Sequence, residues 1–237
     1  MKKKTFMVIG DIHGNIGALK EFLTYADNND VEKIFNLGDF IQGGPNPVEV
    51  FDIVVNDRRF VNILGNEDFE LISNISKDCN YTEKEHHQWN LELIGNERMA
   101  ILKTIPTERI MTVENKRIFM VHSRINSMTD LPLLHKKATL DEYVKDYGQV
   151  WDYVLVGHTH CQNFVKHRSG TSIINPGTLG CCKDGFVDFA VMEFYENGTV
   201  DVSFKSLKYN IDNTILEFFK KKVPNRDNIL KSVYKIG

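Results

Sequence analysis

The sequence predicts an α/β fold made of two sheets packed face to face with helices outside. Three observations predict it. A strand–loop–helix unit repeats through the first 70 or so residues, which implies parallel strands joined by right-handed crossovers. The second half instead carries two hairpin signatures, around Glu114-Asn115 and Asn197-Gly198. The length, 237 residues, suits one large domain, taken as 1–237, or a core with a small cap.

The elements follow in order. Thr5–Ile9 is a short apolar, β-branched run and predicts a buried strand, with Gly10–Asn15 as a loop. Ile16, Leu19, Phe22 and Leu23 recur at helical spacing, giving a helix over Ile16–Ala26. Ile34–Leu37 is a second strand, and Gly38–Asn46, rich in Gly and Pro, is a loop. Pro47 suits the first turn of a helix running to about Val55, and Phe60–Leu64 is a third strand. Residues 68–105 form a helical insert, containing Glu83–Ile94 and Glu97–Leu102, in position to cap a site. Arg109–Val113 and Arg117–Val121 make the first hairpin; an irregular loop over 123–138 and a short helix over Leu140–Tyr147 follow. Tyr153–Val156 is a strand, then comes a loop, then the apolar Ile173-Ile174. Phe186–Tyr195 and Thr199–Ser206 make the second hairpin, and Ile211–Lys222 is a closing helix.

Charge and composition exclude several classes. A net charge of −3 argues against a strong nucleic-acid binder, which usually shows a basic surface. No run approaches the roughly 18 apolar residues of a membrane span. Met1-Lys2-Lys3-Lys4 is followed by too short an apolar stretch for a signal peptide. Cys79, Cys161, Cys181 and Cys182 match neither a zinc knuckle nor a disulfide framework, which predicts reduced thiols in a cytoplasmic protein.

In α/β sheets, ligands collect beyond the carboxyl ends of the strands. Each such loop here carries a metal-ligating side chain. They are Asp11 and His13, then Asp39, then Asn66, then His122, then His158 and His160. Of eight histidines, four fall at these positions, which a chance scatter of histidines would not give. Carboxylates, an amide oxygen and imidazoles together suit Mn²⁺, Fe²⁺, Zn²⁺ or Ni²⁺. A carboxylate can bridge two such ions roughly 3.5–4 Å apart, where they clamp the attacking and leaving oxygens.

Asp-x-His, Gly-Asp, Gly-Asn, a post-strand His and Gly-His-x-His, in this order, resemble the calcineurin-like metallophosphoesterases. The likeness runs from Asp11 to Pro176-Gly177-Thr178. It implies a four-layer α/β/β/α sandwich of two mixed sheets holding two divalent ions. One ion would take Asp11, His13, Asp39 and His160; the other, Asp39, Asn66, His122 and His158. Asp39 would bridge, and a hydroxide between the ions would attack phosphorus in line. Two departures matter. The family's histidine after Gly-Asn assists the leaving group, and here Glu67-Asp68 stand in its place, so either would need a raised pKa to act as general acid. Ser123 follows His122 where Gly is common, implying only altered local backbone freedom. Asp-Ile-His-Gly-Asn, the Glu-Asp after Gly-Asn, and Asn175-Pro176-Gly177 are most similar to bacterial phosphodiesterases and asymmetric diadenosine tetraphosphate hydrolases. A small phosphodiester or dinucleoside polyphosphate is therefore the expected substrate.

Other residues carry weaker expectations. Arg124 suits a bidentate phosphate contact, or a surface loop. Trp89, with His86 and His87, suits a base-stacking lid, or more simply the core side of an amphipathic helix. Asn15 suits orienting His13 or touching phosphate, and Cys161 suits packing. Two rival functions remain. The first is a protein or small-molecule phosphomonoesterase; by the resemblance, the family's protein phosphatases carry an arginine shortly after Gly-Asp, and Phe40–Gly44 has none. A non-catalytic protein-binding scaffold would not need the full ligand set.

Overall fold

In the computed structural model, residues 2–73, 79–125, 127–130, 137–148 and 151–234 are described. One sheet contains β1 (Lys3–Ile9), β2 (Val31–Asn36), β3 (Phe60–Asn62), β9 (Phe186–Tyr195) and β10 (Val200–Lys208), in the order β10-β9-β1-β2-β3. Strands β1, β2 and β3 run parallel, and β9 runs antiparallel to β1. The other sheet contains β4 (Glu108–Val113), β5 (Lys116–Val121), β6 (Tyr153–Leu155), β7 (Gln162–Lys166) and β8 (Ser172–Pro176), in the order β4-β5-β6-β8-β7. Here β5, β6 and β8 are parallel and the two outer strands antiparallel.

The four expected layers are present. Strand side chains alternate between faces. Along β1, Phe6 and Val8 point between the sheets, where they meet Phe35, Ile118, Met120, Ile174 and Phe194. Met7 and Ile9 point outward, against α1 (Ile16–Asp27) and α2 (Pro47–Asn56). This is why β1 reads as a continuous apolar run: both of its faces are covered. On the far side, α5 (Lys137–Asp146) sets Tyr143 and Val144 against Phe119, Val154 and Ile173. The insert comprises α3 (Asn66–Ile72) and α4 (Tyr81–Leu102), the latter broken at Gly95, where φ is 67°. The break falls between the two helical segments the sequence predicts. No helix among the described residues is long and apolar enough to cross a membrane.

Two elements differ from expectation. Strand β7 falls where a loop was predicted; it is a mostly polar edge strand, and its only signal is pairing with β8 across the His167–Gly170 turn. Helix α7 (Arg226–Ser232) follows α6 (Ile211–Lys220) beyond Pro224, too short for periodicity to register; Ile229 and Leu230 pack on Phe218. In the loop over 123–138, residues 131–136 lie outside the described ones.

Candidate metal centre

The three parallel strands of one sheet and three of the other end at the same place, and each ending presents side chains to it. The loops there continue the strand ladder. Asp11 N–H donates to Gly38 O and His13 N–H to Asp39 O, each at 2.9 Å, and Gly157 N–H donates to His122 O at 2.8 Å. Asp11 Oδ2 accepts from His158 N–H at 3.2 Å, joining the two sheets. Five of the seven predicted residues sit in left-handed backbone: Asp11 at φ 56°, His13 at 47°, Asp39 at 52°, His158 at 65° and His160 at 55°. Such a conformation costs a non-glycine residue roughly 1–3 kcal/mol and persists where surrounding contacts hold it. It turns five consecutive-loop side chains inward within very short segments.

All seven residues are brought together. His122 Nε2 is 3.1 Å from Asp39 Oδ2 and 3.0 Å from Asn66 Oδ1. His160 Nε2 is 3.4 Å from Asp11 Oδ1 and 3.3 Å from His13 Nε2. Backbone carbonyls select the ring tautomers. His13 Nδ1 lies 2.9 Å from Gln42 O, His122 Nδ1 2.7 Å from Leu37 O, and His158 Nε2 3.3 Å from Thr129 O. A proton on each of those nitrogens donates to its carbonyl and leaves the other nitrogen's lone pair facing inward.

Two features of this pocket fit a cation. The Asn66 amide lies against His122 Nε2, Asp39 Oδ2 and His158 Nδ1; with its nitrogen inward it donates to all three, and with its oxygen inward it joins them around a cation. Asp11 Oδ1 is fully buried and has no hydrogen-bond donor. Buried acceptors left without donors are costly, and a divalent ion satisfies them all at once. Without a cation, protons serve instead. Burial pulls His122 down, but the Asp39 carboxylate, its hydrogen bond and Asp11 prevail and lift it to about 9. Burial likewise opposes ionisation of Asp39, yet His122 and His13 hold its carboxyl well below the usual range.

A stability prediction follows. The folded-state pKa of His122, about 9, exceeds its unfolded value of about 6.5. Its stabilisation is therefore complete below about pH 6.5 and is lost as pH rises through 9. Chelator-treated protein should lose melting temperature over that window, and a divalent ion should shrink the loss by replacing the proton. A flat profile after chelation would contradict the His122–Asp39 pairing.

Six other residues singled out from the sequence are placed as follows. Asp68 is not the acid expected: it is fully buried, its two oxygens accepting Phe40, Ile41 and Gly65 N–H at 3.1–3.3 Å. Burial and Asp39 raise it to about 7 against those bonds. It ties the Asp39 loop to the Asn66 loop. Arg124 pairs with Asp146 Oδ2, its Nε at 2.8 Å, and lines a second cavity beside His122. Asn15 neither touches His13 nor faces the centre; its Oδ1 caps α1 at Ala18 N–H (3.0 Å) and its Nδ2 donates to Gly180 O (2.8 Å). Trp89 packs on the α6–α7 cluster, as the amphipathic reading requires. Cys161 is exposed rather than packed. Ser123 does more than free the backbone: its hydroxyl donates to Asp130 O and its carbonyl accepts from Tyr143.

Glu67 does face the centre. Its Oε2 is 3.4 Å from His13 Nδ1 and its N–H donates to Asp39 Oδ1 at 2.8 Å. It lines a cavity of about 350 Å³ with Gln42, Glu70, Glu83, His86 and the edge of His160. Two residues here were not singled out from sequence for these roles. His86, on the insert, accepts from Gly43 N–H at 3.1 Å and so braces the loop behind His13. Cys181 brings its sulfur within 4.8 Å of ring nitrogens of His13 and His160. Its only sequence signal is its place after β8, the one parallel strand whose loop had no ligand assigned.

Comparison with known proteins agrees with this fold. An uncharacterised protein of Methanocaldococcus jannaschii is 26% identical over 242 residues, covering 94% of this chain and 96% of that one. A metallophosphoesterase from Sphaerobacter thermophilus superposes with TM-score 0.75 at 21% identity, covering 97% of this chain and 98% of that one. A hypothetical protein from Pyrococcus horikoshii does so with TM-score 0.80 at 20% identity, covering 97% of each. The family model for the calcineurin-like phosphoesterase superfamily domain matches residues 5–197. With the two-sheet sandwich and the donor-lined centre at its strand ends, this match shows that the chain belongs to the calcineurin-like phosphoesterase superfamily.

Proposed function

We propose that the chain hydrolyses phosphodiesters or dinucleoside polyphosphates with two divalent ions drawn from Mn²⁺, Fe²⁺, Zn²⁺ and Ni²⁺. Asp11, His13, Asp39 and His160 hold one; Asp39, Asn66, His122 and His158 hold the other. The observation that carries this reading is the gathering of ligand atoms of Asp39, His122 and His158, and of Asp11, His13 and Asp39, each set within 4.8 Å, with Asp39 in both. When bound, the ions supply positive charge that stabilises a phosphoryl group in transit and acidify water near neutral pH.

The chain's own residues do the rest. Asp39 is the carboxylate common to both sets. The carbonyls of Gln42, Leu37 and Thr129 hold three histidines in the tautomer that keeps an inward lone pair. Glu67, part-exposed at the cavity wall, is the side chain placed to meet the departing oxygen. The insert caps the site, α4 placing Glu83 and His86 in the wall. The lining contains Glu67, Glu70 and Glu83 and no Lys or Arg among the described residues. A dianionic monoester calls for a cationic grip; a singly charged diester does not, which favours the diester over a phosphomonoesterase. The complete donor set favours catalysis over a scaffold. The four cysteines form no disulfide among the described residues, which suits the cytoplasm.

Metal-stripped protein with added Mn²⁺ should cleave bis-p-nitrophenyl phosphate in preference to p-nitrophenyl phosphate. A monoester preference would shift the assignment to a phosphatase, and no turnover with metal bound would favour the scaffold. Glu67→Gln should slow diesters with alkoxide leaving groups by about 10²-fold or more, while nitrophenolate release changes little. Equal losses would remove Glu67 from the acid role.

A further inference from the structure

The sixth parallel strand, β8, ends in Asn175-Pro176-Gly177-Thr178, and the loop beyond it is docked onto the loop of Asp11 and His13. Leu179 N–H donates to Gly10 O and Gly180 N–H to Asp11 O, each at 3.0 Å. Thr178 Oγ1 donates to Asp11 O at 2.9 Å, and Cys181 N–H donates to Thr178 Oγ1 at 3.0 Å. The fit is so close that a Cβ on Gly180 would stand 1.8 Å from Ile12 O. The position of Cys181 is therefore fixed by the same backbone that fixes Asp11 and His13. Its neighbour Cys182 faces away, donating to Thr178 O at 3.3 Å and Asp188 Oδ2 at 3.2 Å.

We propose that Cys181 is a thiolate ligand of the ion held by His13 and His160, making that position selective for Zn²⁺, Co²⁺ or Fe²⁺ over Mn²⁺ and Mg²⁺. The inference rests on the two-ion reading above. Its sulfur is buried and lies within 4.8 Å of ring nitrogens of both histidines. Donors each about 2.0–2.3 Å from one ion stand about 3–4.5 Å apart, so little movement is needed. Independently, the donorless, fully buried Asp11 Oδ1 points at the same place, 3.4 Å from His160 Nε2 and 3.9 Å from His13 Nε2. A sulfur added to imidazole and carboxylate softens the set, and soft donors favour the later divalent metals over the hard, oxygen-seeking ones. The other ion, with Asn66 and no sulfur, keeps the harder set.

Full-length protein loaded with Co²⁺ tests this without an activity readout. Wild type should show a thiolate-to-cobalt charge-transfer absorption that is lost in both Cys181→Ser and Cys181→Ala and kept in Cys182→Ser and Cys161→Ser. X-ray absorption on the Zn²⁺ form should show a sulfur neighbour at about 2.3 Å. The ratio of Zn²⁺ to Mn²⁺ affinity should drop about tenfold or more in Cys181→Ser. Two ions per chain with only nitrogen and oxygen neighbours, and identical spectra in Cys181→Ser, would overturn the sulfur ligand and leave the two-ion reading intact. Fewer than two ions bound to wild type would overturn that reading and this proposal with it.

Discussion

Asp39→Ala should reduce kcat/KM by on the order of 10³-fold or more and lower the metal content of the purified protein. Asp39 Oδ2 lies 3.1 Å from His122 Nε2, and Asp39 also shares a donor cluster with Asp11 and His13. Among the described side chains it belongs to both candidate ion positions. Alanine removes an anion that two histidines are arranged around, so each candidate ion position would lose a ligand and the two positions their common carboxylate. The variant carries its own internal check. Without Asp39, His122 should no longer hold a proton to about pH 9, so the fall in melting temperature of chelated protein between pH 6.5 and 9 should shrink. Activity near wild type with both ions bound would refute the shared-carboxylate role. Full metal content with lost turnover would move Asp39 from binding to chemistry alone.

Gly65→Ala should be nearly as damaging, although Gly65 bears no side chain. A Cβ there would stand 2.0 Å from Asp39 Oδ1 and 2.5 Å from Asp39 N. Across the same contact, a Cβ on Gly38 would stand 2.1 Å from Gly65 N. The two loops touch backbone to backbone, and there is no flexible side-chain end to give way. Either the Asp39 carboxylate leaves its Glu67 N–H donor, or the Gly65–Asn66 backbone retreats and takes Asn66 with it. Overpacking of this kind costs about 1–3 kcal/mol or more, and here the distortion falls on the candidate ligands. Lower melting temperature, lost metal and lost turnover should appear together. Gly198→Ala is the control: nothing lies within 4 Å of its Cβ, so only the left-handed backbone penalty of roughly 1–2 kcal/mol applies. Normal metal content and turnover in Gly65→Ala would show that the loops are not in such contact.

The fold and the candidate centre were legible from sequence for one shared reason. A strand buried on both faces leaves an unbroken apolar run, and the Asp, Asn or His that follows such a run must lie at a strand end. Asp11, Asp39, His122 and His158 each stand within three residues of the strand that delivers them. What was not legible depends on contacts between distant segments. Asn15 looks like a site residue because it neighbours His13, but left-handed backbone turns His13 inward while Asn15 becomes the cap of α1. Asp68 looks equivalent to Glu67, yet one helical step aims it into the backbone of the Asp39 loop. Arg124 gains its partner from α5, 22 residues later. Cys181 reads only as a reduced thiol because a cysteine pair after a turn has no spacing that signals a metal.

The C-terminal segment leads to a separate conclusion. The family domain match ends at residue 197, yet Tyr209 and Tyr234 both reach the Asn15 amide, at 2.8 and 3.4 Å. Asn225, Ile229 and Val233 of the same segment form part of the cavity wall. Part of the cavity wall is therefore encoded apart from every predicted ligand. Natural variation can reshape that wall, and with it the range of accepted esters, while leaving the ligand loops unchanged.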